Sequence, residues 1–441
     1  MLVSVCAVNA KGWSVNDVGH HVRQDQGWDQ LTPRRMNTTS LTADDTTPID
    51  AVERKTPERH GVDLQASRHM AARLRLLIRA NPEPSPARWQ TMGQALWRTD
   101  PLADQLVAWM HAQGVGDAWR QLEQALQSPD GNRAGQPLAL AEFMATTSRR
   151  PEWVDVDKLA DGARVLQSTG LHGMMVLRDA GLMAGYQASA INQTLVMTGA
   201  LHTGAQRRVA TTTAWWLACT DDGGMAPGHA GFNMTLRVRV MHAMVRHQLL
   251  ASGKWDEGYL GKPINQLDMQ ATYLAFSVVQ LLALKTTGVW VTRSESAAVM
   301  HLWRYIGWLM GVEESLLCDA EQQGRISLYQ NVLSQAPADE TSVMLARALM
   351  DEPLQRHYPN AAKLRGVINK ARHLSLVRWF VGASGMRALG LPPTWPWYPL
   401  LMMGPLAVWS LMLRVVPGLK PLGTRWARRR QREYLKVLTS G

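Results

Sequence analysis

The chain has 441 residues and a formal net charge of +11, with 46% hydrophobic and 19% charged residues. That is enough apolar material for a large core and excludes disorder across the whole chain. Trp (18) and Met (23) far outnumber Phe (4), a composition suited to helices and soft packing rather than β-structure, and three cysteines (Cys6, Cys219, Cys318) cannot build a disulfide framework or a four-thiolate metal site.

Residues 1 to about 55 are polar and aperiodic, and MLVSVCAVNA lacks the basic flank and length of a secretory signal. Residues 1–60 therefore read as an extension, either disordered or mis-annotated, with Met36 as an alternative start. Arg34-Arg35 precedes MNTTSLTADD, which is too polar for twin-arginine export. From there the pattern is helical almost throughout. A helix is predicted over 66–80, stopped by Asn81-Pro82. Further amphipathic helices are predicted over 101–114 and 118–126, then a loop in SPDGNRAGQP. Alternating strand patterns and 20–50-residue repeats are both missing from the sequence. The fold class is all-α.

The chemistry concentrates between about residues 161 and 318. In MTLRVRVMHAMVRHQLLA (234–251), Val238, Met241, His242, Val245 and Leu249 form one apolar stripe, which turns His242 inward and leaves Arg237, Arg239 and Arg246 off it. A buried histidine must hydrogen-bond or ligate; a core histidine satisfied by a carbonyl is the plainer alternative. One helix earlier, in HTGAQRRVATTTAWWLACT, Arg208 and Thr212 share a face and Thr211 lies beside them. A cation with hydroxyls suits an anionic group or polarised oxygen, although a surface arginine with back-bonded threonines explains the same residues. DDGGMAPGHAGF (221–232) reads as a flexible connector. A long apolar helix follows Pro-Ile-Asn and ends at Gly288, and Thr292 to Glu295 is a capping box opening the next helix. His242 and His247 are five apart and do not share a metal-binding face. Serine-hydrolase, P-loop, zinc-protease, dinucleotide and c-type haem motifs are all missing.

At the C-terminus, 388–413 carries no charge and five prolines, and 424–441 holds six basic residues against Glu433 alone. An uncharged Trp-rich run before an arginine cluster has the make-up of a membrane-interface segment. A buried helical hairpin with a solvated basic end is the alternative. Basic residues are not interleaved with aromatics along the body, so nucleic acid is not the expected partner. The chain divides into 1–60, an all-helical domain over 61–385, and a C-terminal segment over 386–441.

RVRVMHAMVR, GKPINQLDMQATYLAF and ESAAVMHLWRYIGWLMGV, in that order, resemble the rubber oxygenase family, which includes latex clearing proteins and ER-bound oxygenases of MpaB type. Arg208 and Thr212 precede His242 by 34 and 30 positions, as that family's arginine and threonine precede its histidine. The resemblance covers about residues 160–317 and implies a globin-like helical core, with additional N- and C-terminal helices, around a non-covalent haem b. It makes His242 the iron ligand and places Arg208, Thr211 and Thr212 at the cofactor. It implies oxidative cleavage of carbon–carbon double bonds in a hydrophobic, isoprenoid or lipid, substrate by dioxygen. A cytoplasmic protein with membrane contact through its C-terminal segment is expected. The sequence departs from the family twice. The lysine that some members place before the threonine is Thr211 here, so a lysine-closed site is not expected. The glutamate base of some members has no counterpart in SAINQTLVM (189–197), and rubber cleavage itself is not carried over. A non-catalytic haem carrier or gas sensor, and a haem-free membrane-associated helical protein, are the other readings.

Overall fold

The computed structural model describes residues 54–128, 135–199 and 204–439; the proposed Met36 start and most of the 1–60 extension lie outside them. Among the described residues there are helices and turns and no strand, as the composition requires. In chain order the helices are α1 (Leu64–Arg75), α2 (Pro86–Ala95), α3 (Pro101–Gln113), α4 (Val115–Gln127), α5 (Leu138–Ser148), α6 (Val156–Ser168) and α7 (Gly170–Val176). Then come α8 (Ser189–Met197), α9 (Ala205–Cys219), α10 (Ala230–Ala251), α11 (Gln266–Leu274), α12 (Gln280–Thr286) and α13 (Arg293–Leu309). The C-terminal part holds α14 (Glu321–Leu333), α15 (Glu340–Gln355), α16 (Ala362–Ala388), α17 (Trp397–Val415) and α18 (Leu419–Thr439).

Local chemistry sets many of the boundaries. Ser85 and Asp100 cap α2 and α3, each with proline at the first helical position, where its missing N–H costs nothing. The capping box opens α13 as expected, with Thr292 and Glu295 exchanging side-chain-to-backbone bonds. Helix α1 is shorter than predicted, ending at Arg75. The 221–232 stretch is a compact turn rather than a loose connector: a Cβ on Gly231 would lie 2.6 Å from the Ala218 carbonyl oxygen, so only glycine lets α9 and α10 meet there.

Two helices pass through π-turns. Leu177–Met183 continues α7, and Ala275–Val279 joins α11 to α12; these two segments pack against each other. Helix α10 packs on α3 and α9, and α13 on α6. Helix α10 is more deeply enclosed than its stripe suggested. Arg239 and Arg246, expected off the buried face, are buried and paired with Asp100 and Asp104 of α3, while Arg237 is half-buried against Glu123 of α4.

The C-terminal segment is a hairpin whose two arms behave differently. Helix α17 is largely exposed, presenting Leu401, Val408, Trp409 and Leu411. Helix α18 docks on α6, α7 and α9. The expected solvated basic end holds for Arg425, Arg429 and Arg430. It fails for Arg428, which is buried and bonded to Asp221, Thr220 and the Leu217 carbonyl. At the other end, Arg59 is fully buried and bonds Asp268 at 2.7 Å, and His60 bonds Ser334 and the Trp89 carbonyl. Ordered packing therefore begins upstream of residue 61.

Candidate functional site

His242 stands in the middle of α10, held there by ion pairs on either side. Arg239 meets Asp100 through two bonds of 2.6 and 2.8 Å and also donates to the Leu309 carbonyl of α13 at 3.2 Å. Arg246 donates to Asp104 at 3.1 Å. Paired buried charges of this kind fix the register of α10 on α3, because losing either partner strands a charge in low dielectric. Burial pushes the Asp104 carboxyl above its ordinary value, with Arg246 opposing.

The His242 side chain is buried and lines a void of about 30 Å³. Four of its wall residues are aromatic: Trp215, Tyr273, Phe276 and Trp303. Phe276 stacks on Trp303 with centroids 5.0 Å apart and meets Trp215 edge-on at 5.1 Å; Tyr273 and Thr272 of α11 complete the side facing α11. Trp215 is fixed in turn by donating to the Thr235 hydroxyl at 3.0 Å.

Thr212 lines a second void, of about 40 Å³, with Val209, Thr213, Arg178 and Tyr434. Phe276 is the residue common to both voids. A third and much larger cavity, about 890 Å³, meets the His242 void at Thr272 and the Thr212 void at Gly181 and Ala275. Small residues of the two π-turn segments and their flanks (Ala180, Gly181, Ala184, Ala275) keep it open. Its volume and apolar walls are those of a site for a small organic molecule, roughly 300–1,000 Å³.

The predicted residues do not all converge. Arg208 is buried, donates to the Tyr186 hydroxyl at 2.5 Å and lies near that ring face, at 5.7 Å from its centroid. Its Nε and Nη1 meet no acceptor among the described residues and are free to bond a polar group. Thr211 is buried, gives its hydroxyl proton to the Arg207 carbonyl at 2.9 Å, and lines none of the three spaces. Sequence reasoning missed the aromatic wall at Phe276, Trp303 and Trp215, whose members come from three helices. It also missed a buried ionic cluster behind the Thr212 void. There Arg178 bonds Asp179 at 2.6 Å and reaches Glu352 at 3.3 Å, Asp179 meets His373 at 2.7 Å, and Glu352 holds Arg356 through two 2.6 Å bonds. Complete burial pushes the Asp179 carboxyl up to about 7 despite Arg178, and burial first, then the neighbouring arginines, holds His373 well below its ordinary value.

As a haem site, the donor set fits in kind, with one buried imidazole, a buried arginine with spare N–H groups, and a threonine; of these His242 lines the smaller void and Thr212 the second, while Arg208 lines none of the three spaces. No cluster of three metal-ligating side chains lies among the described residues, and a single axial histidine does not need one. The space is subdivided, however, since Phe276 stands between the His242 and Thr212 voids.

Comparison with known proteins adds the following. The family model described as "ER-bound oxygenase mpaB/B'/Rubber oxygenase, catalytic domain" matches residues 168–416. A rubber oxygenase from Streptomyces sp. (strain K30) is 26% identical over 236 residues, 52% of this chain and 56% of that relative, so the match spans less than two thirds of its length. A solved structure of latex clearing protein in the closed state superposes with a TM-score of 0.59 at 21% identity, covering 76% of this chain and 91% of that one. At that identity the likeness concerns the fold, which is all-α in both.

Proposed function

The chain belongs to the family of MpaB-type ER-bound oxygenase and rubber oxygenase catalytic domains, and on that premise we propose that it is a haem b-dependent oxygenase acting with dioxygen on carbon–carbon double bonds of a hydrophobic, isoprenoid-like substrate. The observation that carries this reading is the buried His242 in a void that shares the wall residue Thr272 with an apolar cavity of about 890 Å³. His242 would hold the iron through one imidazole nitrogen. Arg208, through its spare N–H groups, would meet a carboxylate of the cofactor, and Thr212 would offer a hydroxyl from α9. A bound haem would supply the iron at which dioxygen is activated. The protein's own part is to bind and orient an apolar chain and to keep bulk water from it. With Thr211 in place of the family's lysine, a lysine-closed site is not expected. Thr211 gives its hydroxyl proton to the Arg207 carbonyl.

The test is oxygen consumption. The purified protein should take up dioxygen on addition of a short polyisoprenoid and leave carbonyl-ended fragments. Haem without substrate-dependent uptake would instead make it a carrier or sensor. A haem-free membrane-associated helical protein is the second reading, and the small void beside His242 favours it. Membrane contact belongs to this proposal too. Helix α17 is 19 residues long and apolar, with only 11% of its most apolar window buried, and exposed Arg425, Arg429 and Arg430 follow on α18. An apolar face beside cations suits an anionic lipid surface.

A further inference from the structure

The cavity of about 890 Å³ has an asymmetric charge. Three basic side chains line it, His69 and Arg73 of α1 and Arg378 of α16, and no acidic side chain does so among the described residues. The rest of the wall is apolar or neutral, so a ligand filling it would meet fixed positive charge only at these side chains.

The two arginines meet at a break in α16. Gly382 has φ +71 and ψ −171 inside the helix, a conformation that side-chain-bearing residues rarely adopt. The Arg73 guanidinium lies against this glycine, with Nη2 2.9 Å from where a Cβ would stand. Arg73 Nη1 donates to the Trp379 carbonyl at 2.9 Å, which ties α1 across the cavity to the strip that contains Arg378. Arg73 is exposed and Arg378 half-buried, and both line the cavity. The kink thus seats Arg73 on the strip of α16 that carries Arg378, and both line a largely apolar chamber. A neutral hydrocarbon makes no use of them, whereas a carboxylate at the end of an apolar chain would gain charge-assisted hydrogen bonds while its chain runs inward.

We propose that this cavity takes an amphiphilic acid, an isoprenoid or similar chain ending in a carboxylate, with the carboxylate at Arg73 and Arg378 and the chain directed toward Thr272. This names the substrate class for the site and rests on the reading of the cavity as the substrate's.

The experiment is direct binding to the purified full chain by isothermal titration, using farnesoic acid and farnesol as the charged and neutral members of one chain length. The expected result is that the acid binds about tenfold tighter than the alcohol. In Arg73→Gln/Arg378→Gln this preference should vanish with farnesol affinity unchanged. Arg378→Gln alone, which spares the Arg73–Trp379 bond, should lose part of it. Retained farnesol binding reports that the variants are folded. Equal affinity for acid and alcohol in the native chain, or a preference that survives in the double variant, would overturn the anionic-end assignment and leave the apolar cavity reading intact. Binding of neither ligand would overturn both.

Discussion

Asp100 shows how much a single residue carries. It caps α3, pairs with Arg239 of the His242 helix, and sits where Gly311, at φ +88, leaves room: a Cβ on Gly311 would lie 2.2 Å from Asp100 Oδ2. Asp100→Ala should therefore destabilise the protein by about 3–5 kcal/mol, the cost of a buried charge left alone, read from urea unfolding midpoints. The apolar period of α10 was sufficient to turn His242 inward, since a helix stripe needs only local spacing. It misjudged Arg239 and Arg246 because their carboxylate partners lie 139 and 142 positions away, and no local pattern records a pairing over that distance. The orphaned N–H groups of Arg208 were likewise invisible, for its partner Tyr186 belongs to the turn after the first π-segment.

Among the elements, the two π-turns matter most to the site. Each inserts an extra residue into an otherwise regular helix, and where they meet they bring small residues to the large cavity and Phe276 to the boundary between the smaller voids. In sequence the second is part of one long apolar helix, and nothing in its composition separates i+4 from i+5 bonding. Phe276→Ala removes the shared wall. It should cost about 3–5 kcal/mol in stability, measured by chemical denaturation, while raising the amount of haem the protein takes up, since Phe276 lines both smaller voids. By contrast the α13 capping box was fully legible, because its signature spans four consecutive residues. Thr292→Ala should cost about 1 kcal/mol in the same unfolding assay. The C-terminal hairpin was legible as to apolar run and basic tail, but its docking was not. Since α18 covers α6, α7 and α9, truncation after Leu391 would expose core, and substitutions on α17 are the cleaner test. Leu401→Glu/Val408→Glu should reduce co-sedimentation with phosphatidylserine vesicles without shifting the melting temperature.

At the scale of the whole molecule, buried histidines set the acid response. His60 and His172 are lowered to about 4, chiefly by burial, and His373 is lowered as well. Between about pH 6.5 and 4 the unfolded chain binds protons on these three that the folded chain does not, so stability falls on acidification. Asp179, raised to about 7 by burial, works in the opposite direction, since the folded state keeps its proton over most of that range. The histidines outnumber it. Thermal melts from about pH 7 to about pH 4.5 should show a falling midpoint, with a shallower slope in His60→Gln/His172→Gln. The all-α class was readable from helical patterning and the family from three ordered motifs; the division of the interior into one large and two small spaces was not, because it depends on which side chains from distant helices meet. That division makes haem occupancy the point on which the functional account turns. The decisive measurement is the visible spectrum, with pyridine haemochrome quantitation, of the native protein and of His242→Ala after expression with added haem. The account predicts a Soret band and a b-type haemochrome near one haem per chain in the native protein, and their loss in the variant. A native protein with no Soret band, or a variant that keeps its full haem, would contradict it.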